Sequence, residues 1–401
     1  FAGDRVVVDT SAGPFAVPTA GDAQATRLAE TPASGLSAVL PDSSVVVPLG
    51  GTCDIALSGI GTADRRSLPV AEDATVLDAR ATRSGSTVAV TTGVGPDPFE
   101  RDDTITVLDT ATWSPVGSIA AGRPLDPLQW LPVDGAVAVA NGAELEWWAD
   151  DGTRIGAATP VDSTIAGLHE VAGGLVTVHS DGTLALWPIG SLQPSVLGGG
   201  GRIISVTVSP DGSRIVTVDE TGGIAIRSGT DGAVERVDDR FATGALTDVA
   251  IADDGRVAAS STLGSVRVFD SSLSPAPPLV AVDGTVTVDT VAFDPATGGI
   301  AAGVAQRVSE SDFDDTVVAW SAGDGAPVFR TGGEAEDVAG CSFFFARVRY
   351  SPDGGTMAIT SHDFSIQLID SASGALLHTI PGTTTVLDIA FTQDGTRLIG
   401  T

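Results

Sequence analysis

The chain has 401 residues, 42% of them hydrophobic and only two of them cysteine, so it can bury a large core without metals or disulfides and is neither a disulfide scaffold nor a zinc module. The 51 acidic residues outnumber 21 basic ones, all arginine, for a formal charge of −30; a field of that sign excludes nucleic-acid backbones and anionic membrane surfaces as partners. No run of 18 apolar residues occurs, so no membrane helix is read.

Glycine (49) and proline (23) punctuate the chain into short segments. No helical period survives between them, and the expected class is all-β. Residues 1–22 begin part-way through a unit. GDRVVVDTSAGPFAVPTAG aligns with SVRVFDSSLSPAPPLVAVDG (265–284) and with SIQLIDSASGALLHTIPG (365–382), which are outer strand pairs. The other end, TVLDIAFTQDGTRLIGT (385–401), aligns with inner strand pairs such as VTVSPDGSRIVTV. One end lacks what the other supplies, so the expectation is a closed ring. In it 1–22 gives the outer strands and 385–401 the inner strands of one shared blade, with strand 6–9 beside strand 397–399, which leaves no open sheet edge at the seam.

Between the ends, inner hairpins open at 37, 75, 128, 166, 203, 247, 289 and 347, each followed by an outer pair. The unit at 202–239 is the plainest. Its runs IISVTVS, SRIVTV, IAIRS and AVERV alternate in polarity and are separated by Asp-Gly and Gly-Gly turns. Four strands and three tight turns in roughly 40 residues describe a blade of a β-propeller. The sequence count is nine with the split unit, and the expectation is a single domain over 1–401 with eight or nine four-stranded antiparallel blades.

Units with Ser-Pro-Asp-Gly inner turns and Val-x-Val-x-Asp outer strands resemble bacterial WD-repeat-like and YVTN-type propellers. AAGRPLDPLQWLPVDGAVAVAN (120–141) is similar to the YVTN-type repeat, with Gly-x-Pro before the inner strand and Val-Ala-Asn closing the second. The Gly-His and Trp-Asp signatures of eukaryotic WD repeats are missing: Pro188 follows Trp187 and Ser321 follows Trp320. The WD-type hydrogen-bond tetrad is therefore not expected. The resemblance implies a fold and little about activity.

Alternating strand direction puts the first–second and third–fourth turns at one end of every blade. The second–third turns and the links between blades lie at the other. The longest insertions, 92–103, 305–315 and 330–344, fall mostly in the second set, and loops on a rigid scaffold are where binding resides. The candidate residues are Asp97, Glu100, Asp102 and Asp103 in the first loop, and Glu310, Asp312, Asp314 and Asp315 in the second. Carboxylates at alternate positions can converge on Ca²⁺, with Asp312, Asp314 and Asp315 the candidate set, although neither loop matches a known calcium motif. A solvated acidic loop and a site for a basic partner are the other readings. Phe343 and Phe344 in the third loop read either as core or as an apolar contact. Cys53 and Cys341 map to the same end on either side of the seam, and they are either a disulfide or two free thiols.

His179 and His362 precede third strands at equivalent positions, which is what a repeat turn produces; His169 and His378 fall within strands. No nucleophile elbow or zinc-protease helix motif occurs, and Gly198–Gly201 follows an outer strand and reads as a linker. No catalytic residue is selected. The leading expectation is a non-enzymatic extracellular or cell-surface bacterial binding propeller that presents an acidic long-loop face to a protein or other ligand, without a cofactor. Alternatives are a lactonase-like propeller hydrolase with carboxylates and Ca²⁺ at the channel mouth, and the sensor ectodomain of a larger membrane protein whose anchor lies outside a chain that opens on Phe1.

Overall fold

In this computed structural model the described residues form strands and turns. Description covers most of 74–380 apart from 95–100, 126–128, 198–201, 239–245, 277–278, 281–285, 308–312, 333–346, 361–364 and a few shorter stretches; before 74 and after 380 it covers little beyond the strands. There are eight four-stranded antiparallel sheets, each with its strands in sequence order, as in the blades of a β-propeller. They start at residues 38, 75, 130, 165, 203, 246, 286 and 348, close to the eight inner hairpins read from the sequence.

The chain divides into two compact units. The first comprises Phe1–Pro18, Gln24–Gly198 and Thr401; the second comprises Thr19–Ala23 and Gly199–Gly400.

In the first unit the sheets pack face to face through alternating residues. Ala89, Ile105, Val107 and Ile119 of the 75–120 blade meet Trp130, Val137 and Val139 of the 130–158 blade. From the opposite face of that second blade, Ala138, Ala140, Leu145 and Trp147 meet Ile165, Leu175, Ala185 and Trp187 of the 165–197 blade. A strand sandwiched between blades is buried on both faces, which is why Thr87–Val94 and Ala136–Asn141 read as nearly continuous small apolar and threonine runs.

The second unit repeats this arrangement. Val216, Val218, Ile224 and Ile226 pack on Val249, Val257 and Phe269; Ala258 and Val266 pack on Val288, Val291, Ala302 and Val318; Ala301, Val317 and Ala319 pack on Val348, Met357 and Ile369. First strands also join through polar groups. Asp248 Oδ1 accepts the Val249 N–H at 2.9 Å, while Oδ2 accepts the Thr290 hydroxyl at 3.1 Å and the Val291 N–H at 3.2 Å in the next blade. Asp248 sits at a β-bulge between Leu246 and Val249. Equivalent bulges interrupt the first strands near Leu77, Ala166, Ile204 and Asp289. A bulge re-aims side chains and adds twist, which a first strand serving two neighbours needs.

The turns follow their chemistry. Ser209 Oγ donates to Asp211 Oδ1 at 2.6 Å and accepts the Arg214 N–H at 2.9 Å. The turn after Ser351 copies this, with Ser351 to Asp353 at 2.6 Å and the Thr356 N–H to Ser351 at 2.9 Å. Gly212 and Gly354 take φ of 70° and 72° in these turns, the region glycine enters without penalty. Trp113 is the exception. It holds φ 57° in the turn between Asp102–Asp109 and Pro115–Ala120, where the corresponding turns carry Gly232, Gly325 and Gly374.

Among the described residues the expected seam pairing of strand 6–9 with strand 397–399 is not shown. Arg5–Val8 pairs with Phe15–Pro18, which pairs with Thr26–Arg27, as a three-stranded sheet. Ile389–Phe391 pairs with Leu398–Gly400 as a two-stranded sheet. Thr26–Arg27 joins the sheet on the side of Phe15–Pro18 away from Arg5–Val8, at little loop-closure cost.

Candidate functional site

Two blades differ from the rest in their middle hairpins. In the 75–120 blade the second and third strands, Thr87–Val94 and Asp102–Asp109, are eight residues each and stay in register out to Asp102 opposite Val94. In the 286–332 blade, Ile300–Arg307 and Phe313–Trp320 are also eight residues each, paired out to Phe313 opposite Arg307. In the other blades these strands run four to six residues. The acidic insertions of the sequence are thus paired ribbons over much of their length, with only 95–101 and 308–312 left between the strands.

This changes the place of four candidates. Asp102, Asp103, Asp314 and Asp315 lie in strands rather than in loops. Asp102 is exposed, while Asp103 is 1% exposed. The Arg101 guanidinium meets both Asp103 carboxylate oxygens, at 2.7 and 3.2 Å, and the Leu125 N–H donates to Oδ2 at 2.7 Å. A buried carboxylate held by a fork of two donors and a backbone N–H is a structural anchor. It ties the root of the hairpin to the link towards the next blade, where the Ala121 N–H also donates to the Asp103 carbonyl at 2.9 Å. Opposite it stands Gly93, whose Cβ would lie 2.6 Å from Asp103 Oδ1, so only glycine admits this pair. Asp314 lies opposite Gln306 and Asp315 opposite Ala305. Asp97, Glu100, Glu310, Asp312, Phe343, Phe344, Cys53, Cys341 and His362 lie outside the described residues.

The opposite end of each sheet carries the short turns, and there the carboxylates are pinned locally. The Ser209 hydroxyl, followed by the Ser213 N–H and hydroxyl, lowers Asp211 to about 2. Asp109, Asp270 and Asp370 are likewise held below the usual carboxylate range, first by the hydroxyls of Thr112, Ser272 and Ser373. These groups remain ionised at any physiological pH. They supply fixed negative charge rather than exchangeable protons.

A second carboxylate group, which no motif announced, joins three blades of the first unit. Ser84 Oγ donates to Asp134 Oδ1 at 2.5 Å. Arg83 Nη2 donates to the Glu170 carbonyl at 3.1 Å, and its Nε lies 3.7 Å from Glu170 Oε1. Burial, then Asp134 and Asp151, pushes the Asp150 carboxyl above the usual range. Burial also raises Glu170, with Arg83 opposing and Asp134 adding. Among the described residues, no three His, Cys, Asp or Glu side chains are arranged to hold a metal ion.

His179 has the structural place that its repeat position suggested. Its Nδ1 lies 2.8 Å from the Ser163 carbonyl, which can only accept, so Nδ1 carries the proton. Nε2 then accepts from the Thr177 hydroxyl at 3.0 Å, and that oxygen accepts the Trp187 indole N–H at 3.1 Å. A buried relay of this kind was not expected once the WD signatures were missing. Its signal is the Thr-x-His run of the second strand set against the Trp that ends the third, and it is legible only when the register is known.

No protein-family model matches the chain, and no curated protein matches it. Among solved structures it is similar to a chain in the crystal structure of a mitotic checkpoint complex, at 16% identity over 67% of this chain and 83% of that one, with a TM-score of 0.43. A likeness at that level says nothing about ligand or activity.

Proposed function

We propose that this protein is a non-enzymatic binding scaffold that uses its long middle hairpins, one in the 75–120 blade and one in the 286–332 blade, as separate elements for binding a protein or other ligand. The observation that carries this reading is their construction. Each is an eight-residue antiparallel ribbon standing beyond the length used elsewhere in the fold, and the first is rooted by the buried Arg101–Asp103 fork. A paired ribbon holds its tip in place at lower entropic cost than a free loop, and pre-ordering of that kind favours affinity. The sequence between the paired strands includes Asp97 and Glu100 in one case and Glu310 and Asp312 in the other. A basic partner surface suits them, and the net charge of −30 would speed its approach.

The same reading places the protein outside the cell or on the surface of a bacterium, among WD-repeat-like propellers of the YVTN type. Its support is compositional: two cysteines, arginine without lysine, and the repeat at 120–141.

The test replaces 95–100 and 308–312 by two-residue Asn-Gly turns, which close a two-stranded ribbon tightly. Intact and shortened proteins with equal unfolding midpoints are then compared in a pull-down from the native environment. Loss of a partner from the shortened protein supports the reading, and equal recovery overturns it.

A further inference from the structure

Asn141 is the only asparagine among the 401 residues, and Gly142 follows it. It ends the second strand Ala136–Asn141 of its blade, opposite Glu144, with its side chain exposed. The amide is loosely held: Nδ2 lies 3.4 Å from Glu146 Oε1, at the long limit of a hydrogen bond. Gly142 has φ 63°, and no atom lies within 4 Å of the place a Cβ would take, so its backbone nitrogen is unobstructed on that side. Its carbonyl accepts the Ile165 N–H at 2.8 Å, which joins this turn to the first strand of the next blade.

We propose that Asn141–Gly142 is a site of spontaneous covalent modification, at which the amide is lost through a cyclic imide and replaced by aspartate or isoaspartate. The Gly142 nitrogen bonds to the Asn141 side-chain carbonyl carbon. The bond from that carbon to the amide nitrogen breaks, and the Gly142 proton leaves with it as ammonia. Water then opens either of the two imide C–N bonds. The redox state is unchanged, and water is the only co-reactant.

The fold turns six Asp-Gly pairs away from this chemistry. Asp-Gly pairs could form the same imide, but they must lose water, and that requires a neutral carboxyl. In six Asp-Gly turns an Oδ1 atom instead accepts the N–H two residues on, from Asp151, Asp181, Asp211, Asp231, Asp254 and Asp353, at 2.8 to 3.1 Å. Their carboxyls are held below the usual range and stay ionised. Asn141 has no such bond and needs no proton to be taken up first.

The product acts on the seam between two blades. Isoaspartate adds a backbone carbon between residues 141 and 142 and displaces the carbonyl that holds Ile165. Either product puts a new carboxylate beside Glu144 and Glu146.

The full chain is aged in mildly alkaline buffer at physiological temperature, beside the same chain in denaturant. Peptide mass mapping reads the amide-to-acid change, and an enzymatic methyl-acceptor assay reads isoaspartate. The native chain is expected to gain one acid, at 141 and chiefly as isoaspartate, with none at the six turn aspartates. Its unfolding midpoint falls in step. Asn141→Gln abolishes both changes, and Asn141→Asp, which adds the charge without the extra carbon, keeps the midpoint of the fresh chain. An intact amide in the native chain while the denatured chain converts would overturn the proposal, as would isoaspartate at the turn aspartates.

Discussion

The Thr177 hydroxyl stands 3.1 Å from the indole nitrogen of Trp187, whereas Trp147, on the facing sheet of the neighbouring blade, has Ala140 rather than a hydroxyl residue two positions beyond its cross-strand partner Ala138. Both indoles belong to the one cluster between these blades, Trp187 pairing with Leu175 and Trp147 with Ala138, so they approach it from facing sheets. Trp147 is fully buried, and its Nε1 has no hydrogen-bond partner.

Ala140→Ser places a hydroxyl on the sheet face that carries Trp147 and is expected to stabilise the protein by about 1 kcal/mol, the usual net value of one satisfied buried donor. Ala140→Val adds bulk without an acceptor and should destabilise, which separates the hydrogen bond from cavity filling. In the other blade Thr177→Val leaves the Trp187 and His179 nitrogens unsatisfied, and roughly 1–3 kcal/mol should be lost. Denaturant midpoints at constant slope measure all three.

Asp103→Asn keeps the shape of the side chain but strips the Arg101 guanidinium of its counter-charge. A loss of roughly 2–3 kcal/mol is expected, below the full value for a buried pair because Arg101 keeps some exposure to water. Asp102→Asn, one residue away and exposed, should change stability by less than about 0.5 kcal/mol. Similar effects from the two variants would contradict the anchoring role of Asp103.

Trp113 sits at φ 57°, yet its ring packs on the cluster of Val76, Ala79, Val88, Val90 and Leu108. Packing and backbone strain oppose each other there. Both Trp113→Ala and Trp113→Gly lose the packing, but only glycine relieves the strain. Trp113→Ala should be about 1 kcal/mol less stable than Trp113→Gly, the cost of holding a Cβ in the left-handed region. Equal stabilities would mean that the backbone relaxes.

The pH dependence has two arms of opposite sign. Asp211, whose folded value is lowered from 3.8 to about 2, contributes stability that is present above pH 3.8 and is lost as pH falls through about 2. Asp150, whose folded value is raised, contributes stability that is full below pH 3.8 and is lost as pH rises through that raised value. Asp211→Asn should therefore cost stability at neutral pH and nothing once the medium is acid enough to protonate the native carboxyl. Asp150→Asn should raise the unfolding midpoint at neutral pH, and the gain should vanish below pH 3.8. Unfolding midpoints of both variants across that range give the answer.

Strand alternation, Asp-Gly and Ser-Pro-Asp-Gly turns and the repeat length were legible in the residues alone, because each is set by neighbours within a few positions. The eight inner hairpins starting between 37 and 347 fall close to the eight observed sheets for that reason. Three matters were decided only in three dimensions. Asp102, Asp103, Asp314 and Asp315 look like loop residues by composition, but cross-strand pairing carries the ladder through them. Asp103 reads as a free carboxylate until Arg101, two residues back, turns its guanidinium onto it and the link towards the next blade brings the Leu125 N–H. The pairing of Thr26–Arg27 with Phe15–Pro18 adds a third strand to the N-terminal hairpin, and the repeat alignment does not contain it. Local bonding is written in local sequence; partnership between distant carboxylates, indoles and strand edges is a property of the packed chain.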